Sequence, residues 1–198
     1  VMVVSFVNAG LLKVRQAISV IMGANIGTTI KALFFSWAVF TDLSITKLAI
    51  PIMGLAFPLL FLKTSGSRAL AELLVGAALL FLGIEFMKQS MPHLSPEALE
   101  FLRDLSGMGM LSVLLFVAIG TALTMVIQSS SASIALTLVL CENGTIGYEM
   151  AAALVLGENI GTTITANIAA LVANVWAKRT ARAHLLFNLI GVAWALLV

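Results

Sequence analysis

Charge is scarce in this sequence: 11 basic and 9 acidic residues among 198 amount to 10%, where a soluble domain typically has about 25%. So few charges cannot coat a soluble globular domain, and hydrocarbon must take the place of water around most of the chain. A hydrophobic content of 61% and a mean hydropathy of +1.10 agree. The net charge is only +2 and the basic residues are scattered through apolar stretches, which leaves nucleic acid without a binding face. Cysteine is nearly absent. Cys141 stands alone, so an internal disulfide and a paired redox centre are both excluded. The opening VMVVSFVNAG lacks the charged start of a signal peptide and reads as the continuation of a chain begun further upstream.

What the sequence does have is apolar runs. A membrane-crossing helix needs about 20 mostly apolar residues, and segments 48–62 (with its flanks) and 69–87 meet that need. A third run, 109–127, stops at QSSSAS, residues 128–133, before a shorter one at 134–141; a fourth starts at His184. Two further stretches, 16–39 and 150–175, each enclose nearly the same decapeptide. GANIGTTIKA at 23–32 returns as GENIGTTITA at 157–166, 134 positions later, with eight of ten residues identical. The exceptions are Ala24 against Glu158 and Lys31 against Thr165. The same offset places a partner of QSSSAS just before Val1, so one of two such motifs is expected upstream of this chain.

Basic residues orient the segments, since short cytoplasmic loops collect Lys and Arg. Lys178, Arg179 and Arg182 mark the cytoplasmic side, which puts CENGTIGYE (141–149) outside. Around the first decapeptide the order reverses, because Lys13 and Arg15 precede it. Counting onward puts Lys63 and Arg68 inside and the 88–106 loop outside. Segment 107–140 must then leave and return on the outer side, as a re-entrant hairpin tipped by QSSS. Its first arm is about twice as long as its second. The expected fold class is an all-α polytopic membrane protein with inverted-topology repeats, in which substrate binds near the midplane. Residues 1–68 form the later part of the first repeat and 69–198 the second.

A polar, glycine-flanked motif in the middle of a membrane helix predicts a discontinuous helix. Gly23, Gly27, Gly157 and Gly161 permit the break, and exposed backbone there costs several kcal/mol per group unless a ligand binds it. Half-helices offer carbonyls to a cation and N–H groups to an anion. Asn25, Asn159, Thr28, Thr29, Thr162 and Thr163 add oxygens for a hard cation such as sodium. Ser129, Ser130 and Ser131 can donate hydroxyl hydrogens to a tetrahedral oxyanion, and Gln128 can serve either partner. Thr28 and Thr162 are candidates on the oxyanion side as well. Glu158, an ionisable group at membrane depth, is a functional candidate near a sodium site. Lys31 either counters anion charge or snorkels to the interface. His184 and Asn188 read as packing in the last helix.

QSSSAS, the duplicated G-x-N-I-G-T-T, RAHLLFN (182–188) and GAALLFLGIEFM (76–87) together resemble the sodium-dependent phosphate cotransporter family, which has paired QSSS motifs in inverted repeats. The resemblance covers nearly the whole chain. It implies sodium-coupled phosphate symport by alternating access in the plasma (inner) membrane, with Gln128, Ser129, Ser130 and Ser131 in the substrate and sodium region. It implies no enzyme activity and no cofactor beyond sodium as coupling ion; its partners are phosphate, Na+ and the lipid bilayer, with self-association left open. The alternatives are a carrier or exporter of another oxyanion, a passive anion channel, and an intramembrane serine hydrolase pairing Ser130 with His184. The last finds no G-x-S-x-G, and it gives no reason for the duplicated decapeptide.

Overall fold

The computed structural model describes residues 1–40, 45–62, 64–90 and 105–197. Lys63 and most of the 88–106 loop, used above to count crossings, lie outside them. Among the described residues the secondary structure is helical, without strands, as composition predicts. The helices are α1 (Met2–Asn8), α2 (Val14–Phe40), α3 (Ile45–Ala56), α4 (Ser65–Ser90), α5 (Met110–Ile127), α6 (Ser130–Glu142), α7 (Tyr148–Ala170) and α8 (Val175–Ala195). Three of them, in α2, α4 and α5, are long and apolar enough to cross a bilayer. Large apolar side chains stay on the outside, among them Leu55, Phe61, Leu73 and Val126, as expected where lipid is the solvent.

Segment 48–62 is less regular than expected. α3 contains Pro51 and gives way to a 3₁₀ turn at Phe57–Phe61 with Pro58 in its first positions, because a proline cannot donate the hydrogen bond that would continue the α-helix.

The two decapeptide helices bring the correction. Neither is discontinuous: α2 runs unbroken for 27 residues and α7 for 23. The hydroxyls meant for a ligand go first to their own helix. Thr28 donates to Ala24 O at 3.1 Å, Thr29 to Asn25 O at 3.4 Å, Thr162 to Glu158 O at 2.7 Å and Thr163 to Ile160 O at 2.7 Å. Local bonding of this kind satisfies Ser and Thr inside hydrocarbon without a break. The glycines of α7 serve close approach instead. A Cβ on Gly157 would collide with Val117 O and Thr121 N of α5, and one on Gly161 would sit 2.6 Å from Thr121 O.

QSSS does interrupt the chain. α5 and α6 form a hairpin around α7. Phe116 and Val117 of α5 meet Met150 and Leu154 early in α7, while Thr124 meets Gly161 further along, so α5 runs parallel to α7. α6 returns, with Leu140 and Cys141 beside Ile146 and Met150. α2 lies antiparallel to α7. Its start, at Ala17, packs with Ala166 and Ala170 of α7 and with Val4 and Val7 of α1. Its end is tied to the hairpin base, where Lys88 of α4 donates to Val39 O at 2.8 Å and pairs with Glu142 at 3.3 Å. At the opposite end Asn174, which caps α8, donates through its backbone N–H to Asn8 Oδ1 at 2.8 Å and through Nδ2 to Asn8 O at 3.0 Å.

Candidate functional site at the hairpin tip and the buried carboxylate

The tip is built by local signals. Gln128 ends α5 in the left-handed region, φ 57°, and is the only non-glycine residue there among those described; its N–H reaches back to Thr124 O at 2.8 Å. Ser129 is extended and caps α6, its side chain accepting from Ala132 N at 3.4 Å. The carbonyl end of one helix and the N–H end of the next therefore meet within two residues, which sets opposite partial charges side by side.

Across from the tip stands α2. Lys31 Nζ donates to Ser131 Oγ at 2.7 Å and reaches Ser130 Oγ at 3.5 Å. Two residues of the tip and one of the first decapeptide are thus brought together. Six residues earlier on α2, Asn25 donates to Asn188 of α8 at 3.4 Å, and Asn188 in turn donates to His184 O.

A second polar cluster lies between the hairpin arms and α7. Glu158 is 1% exposed. Thr137 of α6 donates to its Oε1 at 2.7 Å, while Oε2 has no hydrogen-bond partner among the described residues. Thr124 Oγ1, also buried, lacks one too. Thr163 is fully buried and Thr162 half-buried on the same helix. An open crevice of about 430 Å³ between α2, α6 and α7 has Thr29 and Thr137 in its walls and Phe40 and Tyr148 toward the hairpin base.

The candidates are therefore dispersed: Ser130 and Ser131 share Lys31 beside the caps Gln128 and Ser129, Glu158 shares a hydrogen bond with Thr137, and Asn25 pairs with Asn188. Thr28, Thr29, Thr162 and Thr163 spend their hydrogens on backbone carbonyls and present lone pairs only. Sequence reasoning missed Thr137 and Thr124, since a hydroxyl on an apolar arm has no distinguishing spacing. The one available signal was that Thr137 follows Ser130 by seven residues, on one face of α6.

These features define a class: a helical membrane protein whose interior is polar around one interrupted hairpin. The chain belongs to the Na+/Pi-cotransporter family, whose sequence model matches residues 1–89 and 97–198. It is 36% identical over 206 residues to the Uncharacterized protein YqeW of Bacillus subtilis, a match covering 99% of this chain and 61% of that one. With the Putative inorganic phosphate export protein YjbB of Escherichia coli it shares 30% over 194 residues, 96% of this chain and 34% of the other. A shorter stretch of 88 residues, 42% of this chain and 15% of the relative, is 42% identical to the Sodium-dependent phosphate transport protein 2C of Mus musculus. The matches thus span 61%, 34% and 15% of these relatives' lengths. No solved structure matches it. The family is one of membrane transporters.

Proposed function

We propose that this chain forms part of the transport path of a sodium-coupled phosphate carrier in the plasma (inner) membrane, working by alternating access between inverted repeats at 1–68 and 69–198. The observation that carries this reading is the hairpin tip, where QSSS lies between opposed helix ends and against the first decapeptide helix. Phosphate is received by Ser129, Ser130 and Ser131 with Gln128, whose hydroxyl and amide hydrogens suit a tetrahedral oxyanion. Sodium is held by oxygens whose protons are already committed: Thr28, Thr29, Thr162 and Thr163, with Asn25, Asn159 and the carboxylate of Glu158. The lone Oε2 of Glu158 supports this, since a buried carboxylate without a partner is costly until a cation neutralises it. The antiparallel course of α2 and α7 supports the inverted arrangement.

Radiolabelled phosphate uptake into proteoliposomes holding the full-length protein tests the reading. Uptake under a sodium gradient and none under a potassium gradient is the expected result; equal uptake under both removes the coupling and leaves a channel. A second reading, export, is favoured by the name of the YjbB relative. Preloaded vesicles decide it, because an exporter in right-side-out orientation releases phosphate faster than it takes it up.

A further inference from the structure

The two decapeptides differ at two positions only, and each difference places a charge in one copy: Glu158 on α7 and Lys31 on α2. Thr165, which stands where Lys31 would be, bonds its own helix through Thr162 O at 3.1 Å. Lys31 instead crosses to the hairpin, its ammonium 2.7 Å from Ser131 Oγ and 3.5 Å from Ser130 Oγ. The ion pairs found among the described residues are Arg68 with Glu72 and Lys88 with Glu142, so no carboxylate neutralises Lys31 there. A half-buried ammonium inside a membrane protein, touching only hydroxyls, is expensive unless something anionic joins it.

The direction of the hydrogen bonds tells what can join. An ammonium has hydrogens and no lone pair to give, so a serine oxygen facing it must accept. Each of those serines then keeps its own O–H for another acceptor. Lys31 thereby fixes Ser130 and Ser131 as donors, and its charge repels a sodium ion from the same two oxygens. Glu158, on the other decapeptide, has the opposite character: one hydroxyl donor on Oε1 and an unclaimed Oε2.

We infer that Lys31 is the built-in counter-charge of the transported oxyanion, completing an anion subsite with Ser130 and Ser131 from which sodium is excluded. The inference rests on the reading that the hairpin tip receives an oxyanion, and it takes Ser130 out of the sodium part of the substrate and sodium region that the family resemblance implies. One positive charge that a coupling ion could have supplied to the anion is instead part of the chain.

The test is equilibrium binding of radiolabelled phosphate and of radiolabelled sodium to the purified full-length protein and to Lys31→Met, Lys31→Gln and Lys31→Arg variants. Loss of one member of a close charge pair predicts that Lys31→Met and Lys31→Gln weaken phosphate binding by about tenfold or more. Sodium binding stays at the wild-type level and so reports that each variant is folded. Lys31→Arg restores phosphate binding to within about threefold, because it keeps the charge. Wild-type phosphate binding by Lys31→Met and Lys31→Gln overturns the inference. Parallel loss of sodium binding in those two variants, with Lys31→Arg normal, also overturns it by moving the amine to the cation site. If the wild type binds sulfate and not phosphate, the substrate reading fails while the same three variants, assayed with sulfate, still decide the role of Lys31. Binding of neither oxyanion overturns both.

Discussion

α2 and α7 carry one motif in two surroundings. In α7, Gly157 and Gly161 lie against the backbone of α5, and Glu158 and Thr163 are sealed from solvent. In α2, the equivalent Gly23 and Gly27 have nothing within 4 Å, and the neighbouring Ile26 and Ile30 are about two-thirds exposed, at 67% and 66%. The comparison shows what the shared residues specify. They make a helix whose hydroxyls are satisfied locally and whose small residues leave room for a close neighbour. Whether that room is used depends on which helix lies beside it. The residues that are not shared divide the labour, an acid on the enclosed copy and a base on the copy that faces the hairpin tip.

The largest expected difference between the copies is in stability. Gly157→Ala drives a Cβ into Val117 O and Thr121 N, and overpacking of this kind costs about 1–3 kcal/mol or more; a lower thermal midpoint in detergent, or loss of monodisperse protein, reports it. Gly23→Ala meets no atom, and trading a helical glycine for alanine stabilises by about 0.5–1 kcal/mol. If Gly23→Ala proves as damaging as Gly157→Ala in the full-length protein, the contrast breaks, and α2 has a close neighbour there too.

A smaller, more specific effect is expected at Glu158. Glu158→Gln keeps the acceptor for Thr137 and removes the charge, so the protein still folds. The sodium concentration for half-maximal uptake should rise by about tenfold, the order expected when a desolvated charge partner is removed. An unchanged sodium dependence would show that the acid on α7 has no part in coupling. The mildest perturbation sharpens the antiparallel arrangement itself. In a Cys141→Ser background, Tyr148→Cys and Arg179→Cys, both at exposed positions, leave transport intact and label from opposite sides of the membrane. Labelling of both from one side rules out a crossing by α7.

Much of this architecture was legible before any coordinates. The charge-derived count put the ends of α2 and α4, the hairpin base and the start of α7 on one side; the Lys88, Val39 and Glu142 contacts gather the first three, and Leu140 and Cys141 pack beside Ile146 and Met150. The short second arm of the hairpin is α6, with 13 residues against 18 in α5. The candidate site was legible in part. QSSS and Glu158 announced themselves as polar groups in apolar surroundings, whereas Thr137 resembles any hydroxyl on an apolar helix until Glu158, 21 residues away, comes within 2.7 Å. Lys31 was visible as a charge but not as a contact of the tip, because its partner is 100 residues distant.

By itself the sequence determined the membrane class, through its shortage of charge, and the break at QSSS, through residues that stop one helix and cap the next. Both are local or compositional: an extended Ser129 that accepts from Ala132 N–H caps α6 without a distant partner. Only the tertiary structure decided that the decapeptides continue as helix. In α7 the glycines serve a close contact, with α5 against Gly157 and Gly161, whereas α2 continues unbroken with nothing against Gly23 and Gly27, its hydroxyls bonded to its own carbonyls.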